Sequence, residues 1–222
     1  MAAGYRAALV QDRAERLIAD AYYGQLEDVK EDVEQGAPLD FVLYFNDPQR
    51  DYSGVEFNAL HAAASGGNED IINFLLEQGM DIDAQTPDGW TPLFIATRDG
   101  RAEAAKLLVF RGARIDVPTS RGATALLMAV TQPYPTEEER LDLVTYLLKR
   151  GANPNLAAAT GFTPLYYAAA AQKEKVVSLL LEYGAYLDSS AQQQLNKRLK
   201  NSPQAKKIAA LLKRKAARTP SK

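Results

Sequence analysis

A leucine recurs at positions 60, 93, 126 and 165, in steps of 33, 33 and 39 residues, and this spacing restricts the fold of the 222-residue chain more than any other feature. Each leucine sits in a four-residue motif. Thr91-Pro92-Leu93-Phe94 returns as Thr163-Pro164-Leu165-Tyr166, and more loosely as Asn58-Ala59-Leu60-His61 and Thr124-Ala125-Leu126-Leu127. A glycine closes each unit at Gly36, Gly79, Gly112, Gly151 and Gly184, in steps of 43, 33, 39 and 33. Two independent markers with a common step predict a helical solenoid. No single unit buries its own apolar face, and stacking of neighbours makes the core.

The local chemistry of the motif agrees. Pro92 fixes φ and needs no N–H partner, which suits the first turn of a helix, and Thr91 before it is an N-cap. Leu93 and Ala96 follow at helical spacing. A second helix is predicted after Gly100, with Ala104, Leu107 and Leu108 on one stripe and Gly112 as its left-handed terminator. The run Gly-x-Thr-Pro-Leu-x-x-Ala, a turn, and an apolar helix ending Leu-Leu-x-x-Gly-Ala resembles the ankyrin repeat over roughly residues 15 to 188. The resemblance implies an all-α solenoid of about five repeats, at about 15–39, 55–84, 85–116, 117–155 and 156–188, with a loop inserted at 40–54. The first repeat lacks the Thr-Pro-Leu start, and Arg16 and Asp20 stand where an interior repeat carries apolar residues, as suits an N-terminal cap. Residues 189–222 leave the pattern and are predicted to form a last helical pair that caps the stack, followed by a disordered end at 219–222.

The chain has one histidine and no cysteine, so disulfides, zinc–thiolate sites and thiol nucleophiles are excluded together, and an intracellular compartment is the simplest expectation. It has no long apolar run of transmembrane length, and charges at Arg6, Asp12, Arg13, Glu15 and Arg16 argue against an ordinary signal peptide. His61 occupies the fourth place of the motif, where the ankyrin family uses the ring to bond the neighbouring hairpin. No phosphate loop, nucleophile elbow or metal-ligand cluster appears. Glu137, Glu138 and Glu139 are read as complementing a helix dipole, and Asp81, Asp83 and Asp88 as loop residues of the repeat. The expectation is a monomeric, non-catalytic binding module with no cofactor.

Function must then come from surfaces. In ankyrin stacks, partners usually meet the hairpin tips and first helices. Carried onto this chain, those places are Gln85, Asp88, Trp90, Arg98 and Asp99 in the third repeat and Ser120 and Arg121 in the fourth, with Thr119 and Ala123 beside them. Phe57, Trp90 and Phe162 share one place in the repeat, and either anchor a partner or hold neighbouring hairpins in register. Tyr44 and Phe45 lie in the insertion from Phe41 to Tyr52, which either binds or folds back over the first repeat; Asn46-Asp47-Pro48 reads as a turn within it. Tyr134, in the Pro133-Tyr134-Pro135 step of a six-residue surplus in the fourth repeat, is a further exposed candidate. Charge is segregated. All 28 Asp and Glu and 16 of the 26 Lys and Arg fall in residues 1–188, and the other ten bases fall in 189–222. The acidic stack favours a basic or mixed-charge protein partner. The basic tail, with Ile208, Leu211 and Leu212 on one stripe, offers as alternatives a nucleic-acid or anionic-membrane tether, or simple docking on the fifth repeat.

Overall fold

The computed structural model describes residues 2–47, 52–199 and 203–216. Twelve α-helices and one two-stranded antiparallel sheet make up its regular structure among these residues. Helices α1 (Ala2–Tyr23), α3 (Ala59–Gly66), α5 (Pro92–Arg98), α7 (Ala125–Thr131), α9 (Pro164–Ala170) and α11 (Ser189–Arg198) form one layer. The second layer holds α2 (Leu26–Glu34), α4 (Glu69–Glu77), α6 (Ala102–Phe110), α8 (Glu137–Lys149), α10 (Glu174–Glu182) and α12 (Pro203–Ala216). Within each of the first five pairs the two helices pack on one another, and each helix packs on the next helix of its own layer, α1 on α3, α3 on α5, and so to α10 on α12. This is the expected all-α solenoid with a C-terminal helical cap.

The motif chemistry explains the helix starts. Thr91 and Thr124 are extended N-caps whose hydroxyls accept from the N–H of Phe94 (3.1 Å) and Leu127 (3.3 Å). Pro92 and Pro164 occupy first turns. Glu137, Glu138 and Glu139 form the first turn of α8, behind the Thr136 cap, where carboxylates favour the positive end of the helix. The leucines at 60, 93, 126 and 165 are all at most 1% exposed and line one continuous core. Small residues between them, such as Ala63, Ala96, Ala129 and Ala168, let the first-layer helices approach closely. A ladder of loop bonds adds register: Asp83 accepts from the Arg114 N–H (2.9 Å), Asp116 from the Asn153 N–H (3.1 Å), and Asn155 from the Tyr186 N–H (3.1 Å).

Two expectations need correction, and one element exceeds its repeat. Helix α1 runs back to Ala2 over 22 residues, ahead of the repeat expected at about 15–39. Its core stripe, Ala14, Leu17, Ile18 and Ala21, keeps helical spacing. Arg16 closes this end by reaching a carboxylate on α2: its guanidinium pairs with Asp32, which is 1% exposed. Among the described residues, the insertion at 40–54 is not all loop. Its ends form β1 (Leu43–Asp47) and β2 (Tyr52–Phe57), paired Leu43 with Phe57, Tyr44 with Glu56 and Phe45 with Val55, with a bulge between Phe45 and Asp47. Phe41 and Leu43 pack against the main core, while Val55 and Phe57 join Phe94 and Ile95 in a second cluster. The expected turn at Asn46-Asp47-Pro48 runs out of the described residues at Pro48. The surplus of the fourth repeat also turns inward, as Tyr134 shows below.

At the other end, the Asp188 carboxylate caps α11 by accepting from the Ala191 N–H at 2.7 Å. Ala191 and Leu195 face α9, and Ile208 (0% exposed) and Leu212 face α10. Lys206, Lys207 and Lys213 point to solvent, Lys207 lying 3.4 Å from Glu174. The apolar stripe of α12 is thus used within the chain. Residues 219–222, where a disordered end was expected, lie outside the described residues.

Candidate partner-binding groove

His61 sets the local frame. It is 2% exposed on α3, and its Nδ1 accepts from the Asn58 N–H at 3.3 Å while Asn58 in turn caps the His61 N–H at 3.0 Å. Nε2 therefore carries the proton and donates to the carbonyls of Ala84 (2.9 Å) and Trp90 (3.2 Å) in the following hairpin. Burial pulls the imidazole down to about 4, so the ring is neutral at physiological pH. With both nitrogens engaged by backbone, His61 is a strut that positions the Trp90 backbone.

The hairpin tips are joined in the same direction along the stack. The Ser120 N–H donates to the Asp88 carbonyl (2.9 Å), and the Ala159 N–H to the Arg121 carbonyl (2.8 Å). Gly89 and Gly122 sit at φ 78° and 70°, and a Cβ at either would stand 3.1–3.2 Å from backbone of the next hairpin. Glycine is needed at both places for the left-handed turn and for this close approach.

Between the third and fourth tips lies an open groove of about 320 Å³. Trp90 and Phe94 form its floor, with ring centroids 5.6 Å apart, and Val55 of β2 forms one wall. Arg98, one helical turn beyond Phe94, lays its guanidinium over the Trp90 ring, 4.7 Å from the centroid. Arg98 also stands 3.7 Å from Asp99, whose carboxylate accepts from the buried Ser65 hydroxyl at 2.5 Å. The indole is thereby held by Phe94 and Arg98 and is still partly open to solvent. Asp88 on one lip, and Ser120 and Arg121 on the other, are exposed.

Of the residues expected from sequence, the groove brings together Asp88, Trp90, Arg98, Ser120 and Arg121, with Thr119 and Ala123 behind them. Gln85 is exposed just outside, donating to the Gly89 carbonyl (3.4 Å), and Asp99 supports Arg98 from beneath. Phe162 is partly buried and stacked on Tyr166 at 3.8 Å in the fifth repeat, away from the groove. Tyr44 is 69% exposed on the hairpin, and the Phe45 side chain lies outside the described residues.

Two candidates are corrected. Phe57 is 0% exposed and stacked on His61 with centroids 5.7 Å apart, so no partner can touch it. It shares the place of Trp90 in the repeat, but β2 carries the chain inward at that point. Tyr134 is 9% exposed, and its hydroxyl donates to the Thr97 carbonyl at 2.8 Å, so it is a packing residue and not an exposed contact. Burial pushes the Tyr134 phenol up from its ordinary range. Val55 and Phe94 are groove residues that sequence reasoning missed. Phe94 was legible as the bulky fourth place of the motif; Val55 depends on the hairpin.

Known proteins resemble this chain where the solenoid lies. The family described as "Ankyrin repeats (3 copies)" matches residues 17–119 and 113–191. Similar relatives include "Ankyrin repeat, SAM and basic leucine zipper domain-containing protein 1" of Dasypus novemcinctus, 34% identical over 123 residues, 55% of this chain and 25% of the relative. The protein of the same name from Notamacropus eugenii is 33% identical over 115 residues, 52% of this chain and 24% of the relative. That from Homo sapiens is 32% identical over 112 residues, 50% of this chain and 23% of the relative. The match thus spans about a quarter of the length of these relatives. Ankyrin repeats are generally non-catalytic protein–protein interaction modules, and no helix among the described residues is long and apolar enough to cross a membrane. By its repeat motif, its two-layer stack and the family match over residues 17–191, the chain belongs to the ankyrin-repeat family.

Proposed function

We propose that this protein is a monomeric, intracellular adaptor, scaffold or inhibitor without catalytic activity, which binds a protein partner through its hairpin tips and first-layer helices at the Trp90 groove. One observation carries the reading. A large aromatic ring is held in fixed geometry by Phe94 and Arg98 yet left partly open, between lips bearing exposed charges. Such preorganised aromatic anchors supply much of the free energy of protein interfaces because little entropy is lost on binding. A second reading is a nucleic-acid or anionic-surface tether. It rests on the solvated face of α12 with Lys206, Lys207 and Lys213, whose apolar stripe is already spent on α10. Amide hydrogen exchange with a captured partner separates the two. New protection at 85–99 and 119–123 supports the groove, whereas protection confined to 203–216, with affinity falling steeply and linearly in log salt, supports the tether.

A further inference from the structure

We propose that the occupant of the Trp90 groove is an extended segment of a partner protein carrying an apolar anchor between a basic residue and an acidic residue. The anchor lies on Trp90, the base at Asp88 and the acid at Arg121. This rests on the reading of the groove as the partner site and adds its chemistry.

The lips differ in charge. Asp88 stands exposed at the tip of the third hairpin, and Ser120 and Arg121 stand exposed at the tip of the fourth. No ion pair to Asp88 or Arg121, and no bond from the Ser120 hydroxyl, is formed among the described residues. Acids on neighbouring loops behave differently: Asp83 pairs with Arg114 at 3.0 Å, and Asp116 accepts from the Asn153 N–H. The backbone bond from Ser120 to Asp88 holds the two lips side by side, so the two opposite charges border the same groove. The apolar lining comes from three elements: Trp90 on the hairpin is partly open, backed by the buried Phe94 on α5 and Val55 on β2. A volume of about 320 Å³ admits one large side chain and its flanking backbone. Arg98 adds positive charge near the Arg121 lip, although Asp99 partly offsets it. Opposite charges across an exposed rim select orientation and partner more than they add affinity, and like charges placed there repel. The surrounding stack is acidic, so the Arg121 lip is a local exception that gives the groove polarity.

The experiment is selection of a phage-displayed random-peptide library on the full chain, followed by binding of the enriched synthetic peptides to four proteins: wild type, Trp90→Ala, Arg121→Glu, and the double exchange Asp88→Lys with Arg121→Glu. All three changes lie at exposed or half-exposed positions, and far-UV circular dichroism confirms the fold of each. The expected result is peptides with an aromatic or branched apolar residue flanked by Lys or Arg on one side and Asp or Glu on the other. Their affinity should fall at least about 30-fold in Trp90→Ala. It should fall about 2- to 5-fold in Arg121→Glu, and the double exchange should prefer the peptide with its two charges interchanged. Peptides that need Trp90 but are indifferent to both charge exchanges would overturn the proposed pattern and leave the groove as the binding site. Peptides that bind equally well to Trp90→Ala would overturn the groove reading itself.

Discussion

Because the chain has a single histidine, acidification reports on His61 without interference from another imidazole. The ring is 2% exposed, its Nδ1 already accepts a hydrogen bond, and burial lowers it from 6.5 to about 4 in the folded state. A group whose folded value is depressed contributes stability that is present above its unfolded value and is lost as pH falls, since the unfolded chain takes up the proton first. The window therefore runs from about 6.5 down to about 4. Linkage over that gap amounts to roughly 2 kcal/mol lost by pH 5 and roughly 3 kcal/mol in all. Asp20 and Asp116, raised by burial, act in the opposite sense, because protonation relieves a cost the folded state bears. Their effect is common to wild type and a His61→Leu variant and cancels in the difference. The assay is urea unfolding of both proteins at pH 8 and pH 5, with the lone His61 Hε1 proton followed by NMR. Wild type should lose about 2 kcal/mol more than His61→Leu on going to pH 5. A proton resonance titrating near 6.5 in the folded protein, or equal losses in the two proteins, would refute the strut.

Three further outcomes follow from the packing. Phe57→Ala should destabilise by about 3–5 kcal/mol, read as a lower urea midpoint, because a fully buried ring against His61 leaves a cavity that the hairpin cannot fill. Tyr134→Phe should cost about 1–3 kcal/mol in the same assay, since the Thr97 carbonyl loses its buried donor, while partner affinity stays unchanged. Truncation after Asp188 should lower the thermal midpoint and promote aggregation visible in light scattering. It strips Leu195, Ile208 and Leu212 from α9 and α10 and leaves an apolar end on the stack.

The stack was legible because its markers are chemical necessities repeated at a fixed step. Thr91 caps, Pro92 starts, Leu93 fills the core and Gly112 ends the unit, and each acts within its own few residues. The charged lips of the groove were legible for the same reason, since hairpin tips project from every repeat. What escaped was set by contacts between distant parts. Phe57 and Trp90 occupy one place in the repeat, but the strand pairing of Leu43 with Phe57 drives the first inward, whereas no strand precedes the second. Tyr134 reads as a loop residue until its reach to Thr97, 37 positions away, is seen. Lys173 is another case: its ammonium donates to the Val130 carbonyl of the preceding repeat at 2.6 Å, and burial pulls it below its ordinary value. The extension of α1 back to Ala2 was not legible, because the repeat motif says nothing about residues ahead of the first unit.

The central claim, that Trp90 is a preorganised contact and not a core residue, is tested most directly by measuring partner dissociation constant and urea midpoint together for Trp90→Ala. Truncation of a hot-spot aromatic typically costs at least about 2 kcal/mol of binding, so the dissociation constant should rise at least about 30-fold. Trp90 is only partly buried, and Phe94 and Ile95 remain to close the second cluster, so the midpoint should move little. An unchanged dissociation constant with a large fall in the midpoint would contradict the account and make Trp90 a packing residue like Phe57.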